Sequence, residues 1–273
     1  GNLMLPIISQ LFIYPIKSCA GISVSSFQFD ETGPLLDRNW MLVDAQTGRY
    51  LSQRTLPKMA LITTQLSDGC VSVSHINQPE VFILPTAGEL IDVGIWEDDI
   101  QGLDCGDEAA SWFSSVIGCD CRLVYQGDCL RLADTEYTAV GTKVSYSDGF
   151  PLLVVAQASI DFLNAECEAT ISAANFRPNI VIENTAVFAE NDWAVLSTET
   201  VTMSVVKPCQ RCVIPALNPK TGEREASILP MLLKHCRRDK KIYFGQNLTF
   251  NSLNTDINNQ QLGLRVGQEV SVS

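Results

Sequence analysis

Apolar residues fall in short bursts along this chain, and only three stretches carry the spacing of an amphipathic helix. In the first hundred residues, segments 12–16, 23–29, 40–43, 59–64, 70–74, 81–84 and 91–96 read as strands. Asp68-Gly69 supplies a hairpin turn between 59–64 and 70–74. The period then changes. Ala109, Trp112, Phe113 and Val116 predict a helix over 108–117, stopped by Gly118. A strand follows at 122–125. Residues 126–150 are polar and irregular, with Gly127, Gly141 and Gly149, and form the expected boundary region.

Beyond the boundary, 152–155, 180–182, 200–206, 244–250 and 264–272 read as strands. Residues 159–166 and 227–236 read as helices, the second with Ser227 placed to cap it and Pro230 tolerated in its first turn. No internal repeat is visible. The sum predicts a β-rich α+β protein with barrel-like sheets and a few helices. The expected division is a first domain over 1–125 and a second over 126–273.

The chain has 273 residues, with 46% apolar and 18% charged, which fits a globular protein with a substantial core. No apolar run approaches the ~20 residues a membrane helix needs, and no export signal is visible. A cytoplasmic location is the expectation. The net charge of -12 argues against nucleic acid or an acidic membrane as partner. Ten cysteines in such a chain are expected to be mostly reduced and buried.

The acidity makes the basic positions informative. Lys17 and Ser18 end a strand in Y-P-I-K-S-C. Arg38 precedes an apolar strand in D-R-N-W, and Arg54 follows Ser52-Gln53. Arg177 and Asn179 flank Pro178 at the entry to 180–182. Singly, each is an ordinary strand-end residue that a neighbouring acid would satisfy. Together they suit a pocket for a phosphate-bearing group. Asp148 and Gly149 form a turn before a buried strand.

The other chemistry-bearing segment is K-P-C-Q-R-C, Lys207–Cys212. Thiolates bind soft metals and carry redox chemistry. A redox dithiol starts a helix, whereas here Val213, Ile214 and Pro215 follow. A structural zinc site needs four ligands, and Cys119-Asp120-Cys121 is a poor second half-site. From local sequence, a metal ligand with a bystander, a dithiol and a zinc half-site all stay open.

The motifs taken in order are more specific. Y-P-I-K-S-C-A-G at 14–21, D-R-N-W at 37–40, N-F-R-P-N-I at 175–180 and K-P-C-Q-R-C at 207–212 resemble those of the MOSC-domain proteins. That family includes bacterial MOSC proteins and the mitochondrial amidoxime-reducing component. The resemblance covers essentially the whole chain and implies a MOSC N-terminal β-barrel-like domain followed by a MOSC domain. It also implies a molybdenum–pyranopterin (molybdopterin) cofactor, with Cys212 as protein ligand to the metal and Cys209 as its neighbour. Lys17, Ser18, Arg38, Arg177 and Asn179 would hold the cofactor's phosphate and pterin. Asp148, Gly149, Gln210, Arg211 and Asn247 would line the pocket. Arg211 and Lys207 would favour Cys212 as thiolate.

Phe150 and Asn247 replace a serine and a tyrosine of the mitochondrial relatives, so pocket shape differs there. The activity implied is reduction of small N-hydroxylated compounds, namely amidoximes, hydroxylamines or N-hydroxylated bases, with Asp148 as proton carrier. The sequence holds no C-x4-C-x2-C run and no pyridoxal-phosphate domain. Electrons are therefore expected from a separate flavoprotein reductase or small carrier. The rival reading is a sulfur-carrier or cofactor-handling module with a persulfide on Cys212 or Cys209.

Overall fold

The computed structural model of the chain describes residues 4–253 and 262–273. Strands dominate, with four α-helices among the described residues, so the fold is the expected β-rich α+β type. The largest sheet runs in spatial order Ile22–Val24, Ile7–Ile13, Ile180–Glu183, Leu152–Ala156, Lys241–Ser252, Val201–Arg211, Val195–Ser197 and Ser271–Val272. Its pairings are antiparallel except that between Leu152–Ala156 and Ile180–Glu183. The sheet curls until its ends meet: Ile8 N donates to Gln268 O at 2.9 Å, and Val270 N to Pro6 O at 3.0 Å. The strand ladder itself does not close, so the barrel likeness is one of curvature.

A second sheet orders Trp40–Asp44, Cys121–Tyr125, Asp98–Asp104 and Glu89–Ile95. Thr63–Ser67, Cys70–His75 and Gln78–Ile83 form a third. Helix Asp107–Ile117 buries Ala109, Ala110 and Phe113 beneath them, and its end is the expected left-handed Gly118, φ 77°. The packing of the first thirty residues crosses the expected boundary at 125/126. Ile8, Leu11, Ile13, Phe27 and Phe29 share one core with Leu152, Ile180, Met203 and Leu248, and Ser26–Asp30 pairs with Gly263–Arg265. The N-terminus therefore completes the C-terminal half.

The chain crosses between the two large sheets at 14–19 and again at 37–40. These crossings clamp each other: Arg38 N donates to Tyr14 O at 2.7 Å, Trp40 N to Pro15 O at 3.1 Å and Lys17 N to Trp40 O at 2.9 Å.

Several local expectations are corrected. Pro57–Leu61 is a 3-10 turn, because proline starts a helical turn more easily than it enters a ladder, and the strand begins at Thr63. Asp98–Asp104 is a strand that its acidic residues conceal. The closing 264–272 segment is two short strands, Gly263–Arg265 and Ser271–Val272, separated at Gly267 by a turn. Ser227 sits at the N-cap without capping; its hydroxyl accepts from Ala169 N at 3.3 Å instead.

Helix Gln157–Ala165 is capped from a distance. The fully buried Glu190 accepts from Ala156 N at 2.5 Å and from the Ser159 hydroxyl at 2.6 Å. Burial raises its carboxyl from 4.5 to about 7, against the pull of those two donors. A carboxyl raised on folding stabilises below its unfolded value and loses that contribution as pH rises through the folded one. Stability from this group is thus predicted to fall between pH 4.5 and about 7. The shift corresponds to on the order of 3 kcal/mol. Glu190→Gln should flatten that slope in urea unfolding measured across this window; an unchanged slope would show that the carboxyl is not held neutral.

Candidate active site

The crossings open onto a cleft with about 950 Å³ of non-atom space, including its mouth. Lys17, Ser18, Arg38, Asp148, Gly149, Arg177, Asn179, Gln210, Arg211, Cys212 and Asn247 line it, and Lys207 does not. Lys17, Ser18 and Arg38 come from the crossings, and Asp148 and Gly149 from the turn before Leu152–Ala156. Arg177 and Asn179 come from the turn before Ile180–Glu183. Gln210 and Arg211 end Val201–Arg211, Cys212 follows it directly, and Asn247 lies on the neighbouring strand. Sequence separations of more than 150 residues close here because both sheets end at this edge.

The backbone at three of these positions is strained. Ser18 (φ 70°), Arg38 (φ 48°) and Arg177 (φ 59°) are left-handed without being glycine. Each conformation is pinned. Gln53 Nε2 donates to Ser18 O at 2.6 Å. Arg38 is held by the Tyr14 carbonyl, and its Nη1 donates to both carboxylate oxygens of buried Asp37, at 3.1 and 2.9 Å. Arg177 terminates the short helix Ala173–Phe176, which a capping box between Ser172 and Asn175 nucleates. The sequence pattern does not predict this four-residue helix.

Tyr14 is the platform for two of the cations. The Arg38 and Arg177 guanidinium groups lie 4.3 and 4.4 Å from its ring centroid. Its hydroxyl donates to Pro178 O at 2.8 Å, and its amide to Asp37 Oδ1 at 2.9 Å. Neither Tyr14 nor Asp37 was assigned a role from sequence. The only signal was their place inside motifs quoted for other residues.

Charge around the cleft inverts that of the chain. Lys17, Arg38, Arg54, Arg177 and Arg211 line it, against Asp148 alone among acids. The Lys17 ammonium donates to Asp148 Oδ1 at 2.6 Å; its side chain is 6% exposed while that of Asp148, facing the open cleft, is 81% exposed. Burial pulls the Lys17 ammonium below its ordinary value, with Asp148 opposing. Lys17 in turn holds the Asp148 carboxyl well below the usual carboxylate range, so here it is an ionised counter-ion. Burial, then repulsion from Arg38, lowers Arg177 to about 10. Arg177 Nη1 donates to Cys19 O at 2.8 Å, but its Nη2 is buried without an acceptor. Arg211 Nη2 and Trp96 Nε1, also of cleft-lining residues, share that condition. Unsatisfied buried donors cost about 1–3 kcal/mol each. A lining with surplus cations and unmet N–H groups fits an anionic, acceptor-rich group such as a phosphate-bearing pterin.

The two cysteines are unequal. Cys212 lies just past the strand end, where its sulfur accepts from Ile214 N at 3.4 Å. Burial pushes the Cys209 thiol up, which keeps it neutral at pH 7. Bulges between Val205 and Lys207 and between Pro208 and Gln210 re-aim this strand's side chains. No α-helix starts at the pair, contrary to what a redox dithiol requires; only the single 3-10 turn Ile214–Ala216 follows. Cys121 packs instead against Ser114 at the foot of the first helix. Among the described residues no three His, Cys, Asp or Glu side chains gather as a metal site. A metal beside Cys212 would therefore take its remaining ligands from a cofactor.

Lys207 and Arg211, expected to favour a Cys212 thiolate, also make contacts of their own. Lys207 Nζ lies 4.6 Å from the Tyr137 ring. Arg211 donates to the carbonyls of Phe244 and Phe176, both at 2.8 Å, and braces the backbone. Asn179 is likewise a strut: its side chain accepts from Leu153 N at 3.1 Å and donates to Phe12 O at 3.2 Å.

This architecture is that of a two-part MOSC protein. The chain matches the MOSC N-terminal beta barrel domain over residues 5–120 and the MOSC domain over 141–271, and it belongs to that family. Mitochondrial amidoxime-reducing component 1 of Mus musculus is 34% identical over 227 residues, covering 79% of this chain and 66% of that protein. Mitochondrial amidoxime reducing component 2 of Bos taurus is 34% identical over 228 residues, 79% of this chain and 67% of that protein. Component 1 of Homo sapiens is 31% identical over 227 residues. The chain thus spans about two thirds of the length of these relatives. A solution structure from Bordetella bronchiseptica overlaps 38% of the chain at 19% identity and a TM-score of 0.30, too little to bear on the fold.

Gly21 faces the Tyr14 ring so closely that a Cβ there would lie 2.5 Å from a ring carbon. Gly21→Ala is predicted to cost about 1–3 kcal/mol and to displace the platform under both arginines. Thermal unfolding reads the first effect, and weakened protection of the protein by added inorganic phosphate the second. An alanine variant with unaltered stability would mean that the ring is not fixed.

Proposed function

We propose that this protein reduces N-hydroxylated compounds with a molybdenum–pyranopterin cofactor and electrons from a separate donor. The observation that carries the reading is one cleft bringing Cys212 together with Lys17, Arg38 and Arg177. Relatives named amidoxime-reducing components support the same reaction class. When bound, the cofactor supplies two-electron oxygen-atom chemistry, so that N–OH, two electrons and two protons yield N–H and water.

The chain's own part is position and electrostatics. Cys212 offers the metal a thiolate, and its sulfur is oriented by the Ile214 amide. Arg38 and Arg177, held on Tyr14, and Lys17 with Ser18 neutralise and orient the phosphate and pterin. Gly149, Gln210, Arg211, Asn179 and Asn247 shape the remaining wall. Asp148 is set up to respond to loading. An anion that draws Lys17 away removes the main cause of its low pKa, and its carboxyl can then hold a proton near the reacting N–OH. The electron donor is proposed to be a flavoprotein or small electron carrier.

Cys212→Ala should abolish benzamidoxime reduction with a chemical electron donor, while thermal unfolding stays within about 2 °C of the parent, since the side chain is half-exposed at the cleft. Cys209→Ser should retain most of the activity. Equal activity of the Cys212→Ala variant and the parent would remove Cys212 from the metal.

A further inference from the structure

Two aromatic rings and a further cation line the cleft next to Lys17, whose ammonium lies 5.7 Å from the centroids of both Tyr50 and Trp96. Tyr50 and Trp96 lie with ring centroids 5.3 Å apart, and the Arg54 guanidinium is 5.2 Å from the Trp96 ring. All three line the cleft. Cys212, the candidate metal ligand, lines the same cleft.

The wall is held at a cost. Trp96 occupies the turn after Glu89–Ile95 with φ 51°, a left-handed conformation that an aromatic residue adopts unfavourably. Arg49 Nη2 donates to Trp96 O at 2.7 Å and locks the turn. Gly94 makes room for that arginine, since a Cβ there would lie 2.7 Å from its Nη1. The indole N–H meets no acceptor among the described residues. Arg54 is exposed and, unlike Lys17 and Arg38, has no carboxylate partner among the described residues of a chain with a net charge of -12. Surplus positive charge beside a tilted pair of aromatic rings, 46° between planes, is chemistry that suits a planar ring carrying an acid group.

We propose that Tyr50, Trp96 and Arg54 form a substrate subsite that selects planar aromatic N-hydroxylated compounds bearing a carboxylate. The ring packs against Tyr50 and Trp96, and the carboxylate meets Arg54. The proposal rests on the reductase reading, and it concerns which substrate that site prefers.

The test uses 4-carboxybenzamidoxime and benzamidoxime with the purified holoprotein, reduced methyl viologen as electron donor, and Arg54→Ala, Arg54→Lys and Trp96→Phe variants. The parent should favour the carboxylated compound in kcat/KM by about tenfold, the scale of one charge-assisted contact. Arg54→Ala should collapse that ratio toward one, chiefly through KM, and Arg54→Lys should restore part of it. Binding is read separately, from tryptophan fluorescence titrated with 4-carboxybenzamidine. The quench should need Arg54 and shrink in Trp96→Phe. A parent that treats both compounds alike overturns the subsite. So does an Arg54→Ala protein that has lost its molybdenum and pterin, since Arg54 would then serve the cofactor. If neither compound is reduced by metal-loaded protein but the Arg54-dependent quench persists, the subsite stands and the reductase reading falls.

Discussion

The site depends on keeping like charges together away from bulk water. Arg38 and Arg177 share the Tyr14 ring, and Lys17 is buried beside them. Left alone, such a cluster would repel itself and lose hydration. Three features hold it. Asp37 neutralises Arg38 from beneath, Asp148 shields Lys17 from the cleft side, and the aromatic face of Tyr14 spreads the charge of the remaining pair. What is left over is a positive field pointed into one cleft of an acidic protein. That residue of charge is the most direct physical statement of what the cleft is for.

The topology makes the cluster affordable. Because the first strand pairs with Ile180–Glu183, the crossings at 14–19 and 37–40 lie against the turn carrying Arg177. The K-P-C-Q-R-C strand reaches the same edge through its pairing with Lys241–Ser252. Strained backbone at Ser18, Arg38 and Arg177 is tolerated because each carbonyl or amide is tied to a neighbouring segment. Glu190 does comparable work further back, fixing the helix behind Leu152–Ala156 with a carboxyl that burial disfavours as an ion.

Much of this was legible in the sequence. The β-rich class, the first helix with its Gly118 stop and the dispersed basic residues follow from period, turn chemistry and charge contrast. Motif order also groups the residues of K-S, D-R-N-W, F-R-P-N and Q-R-C that line one cleft. What stayed hidden depends on contacts between distant segments. Tyr14 reads as one more strand aromatic until two arginines lie on it. Trp96 reads as a strand residue, although it ends in a left-handed turn. The N-terminal strands read as part of the first domain because local pattern says nothing about pairing with a strand 170 residues away. Lys207 and Arg211 sit beside Cys212 in sequence, yet one goes to Tyr137 and the other to backbone carbonyls. Proximity along a strand is a poor guide to which side of it a charge serves.

The central claim is that the cation cluster and Cys212 together hold one phosphate-bearing, metal-carrying group. Elemental analysis of freshly purified protein, combined with fluorescence of the pterin released on oxidation, addresses it most directly. The account predicts about one molybdenum and one pterin per chain, since Cys212 is the single protein thiolate assigned to the metal. Zinc bound to Cys209 and Cys212, or a cysteine persulfide with no pterin, would contradict it.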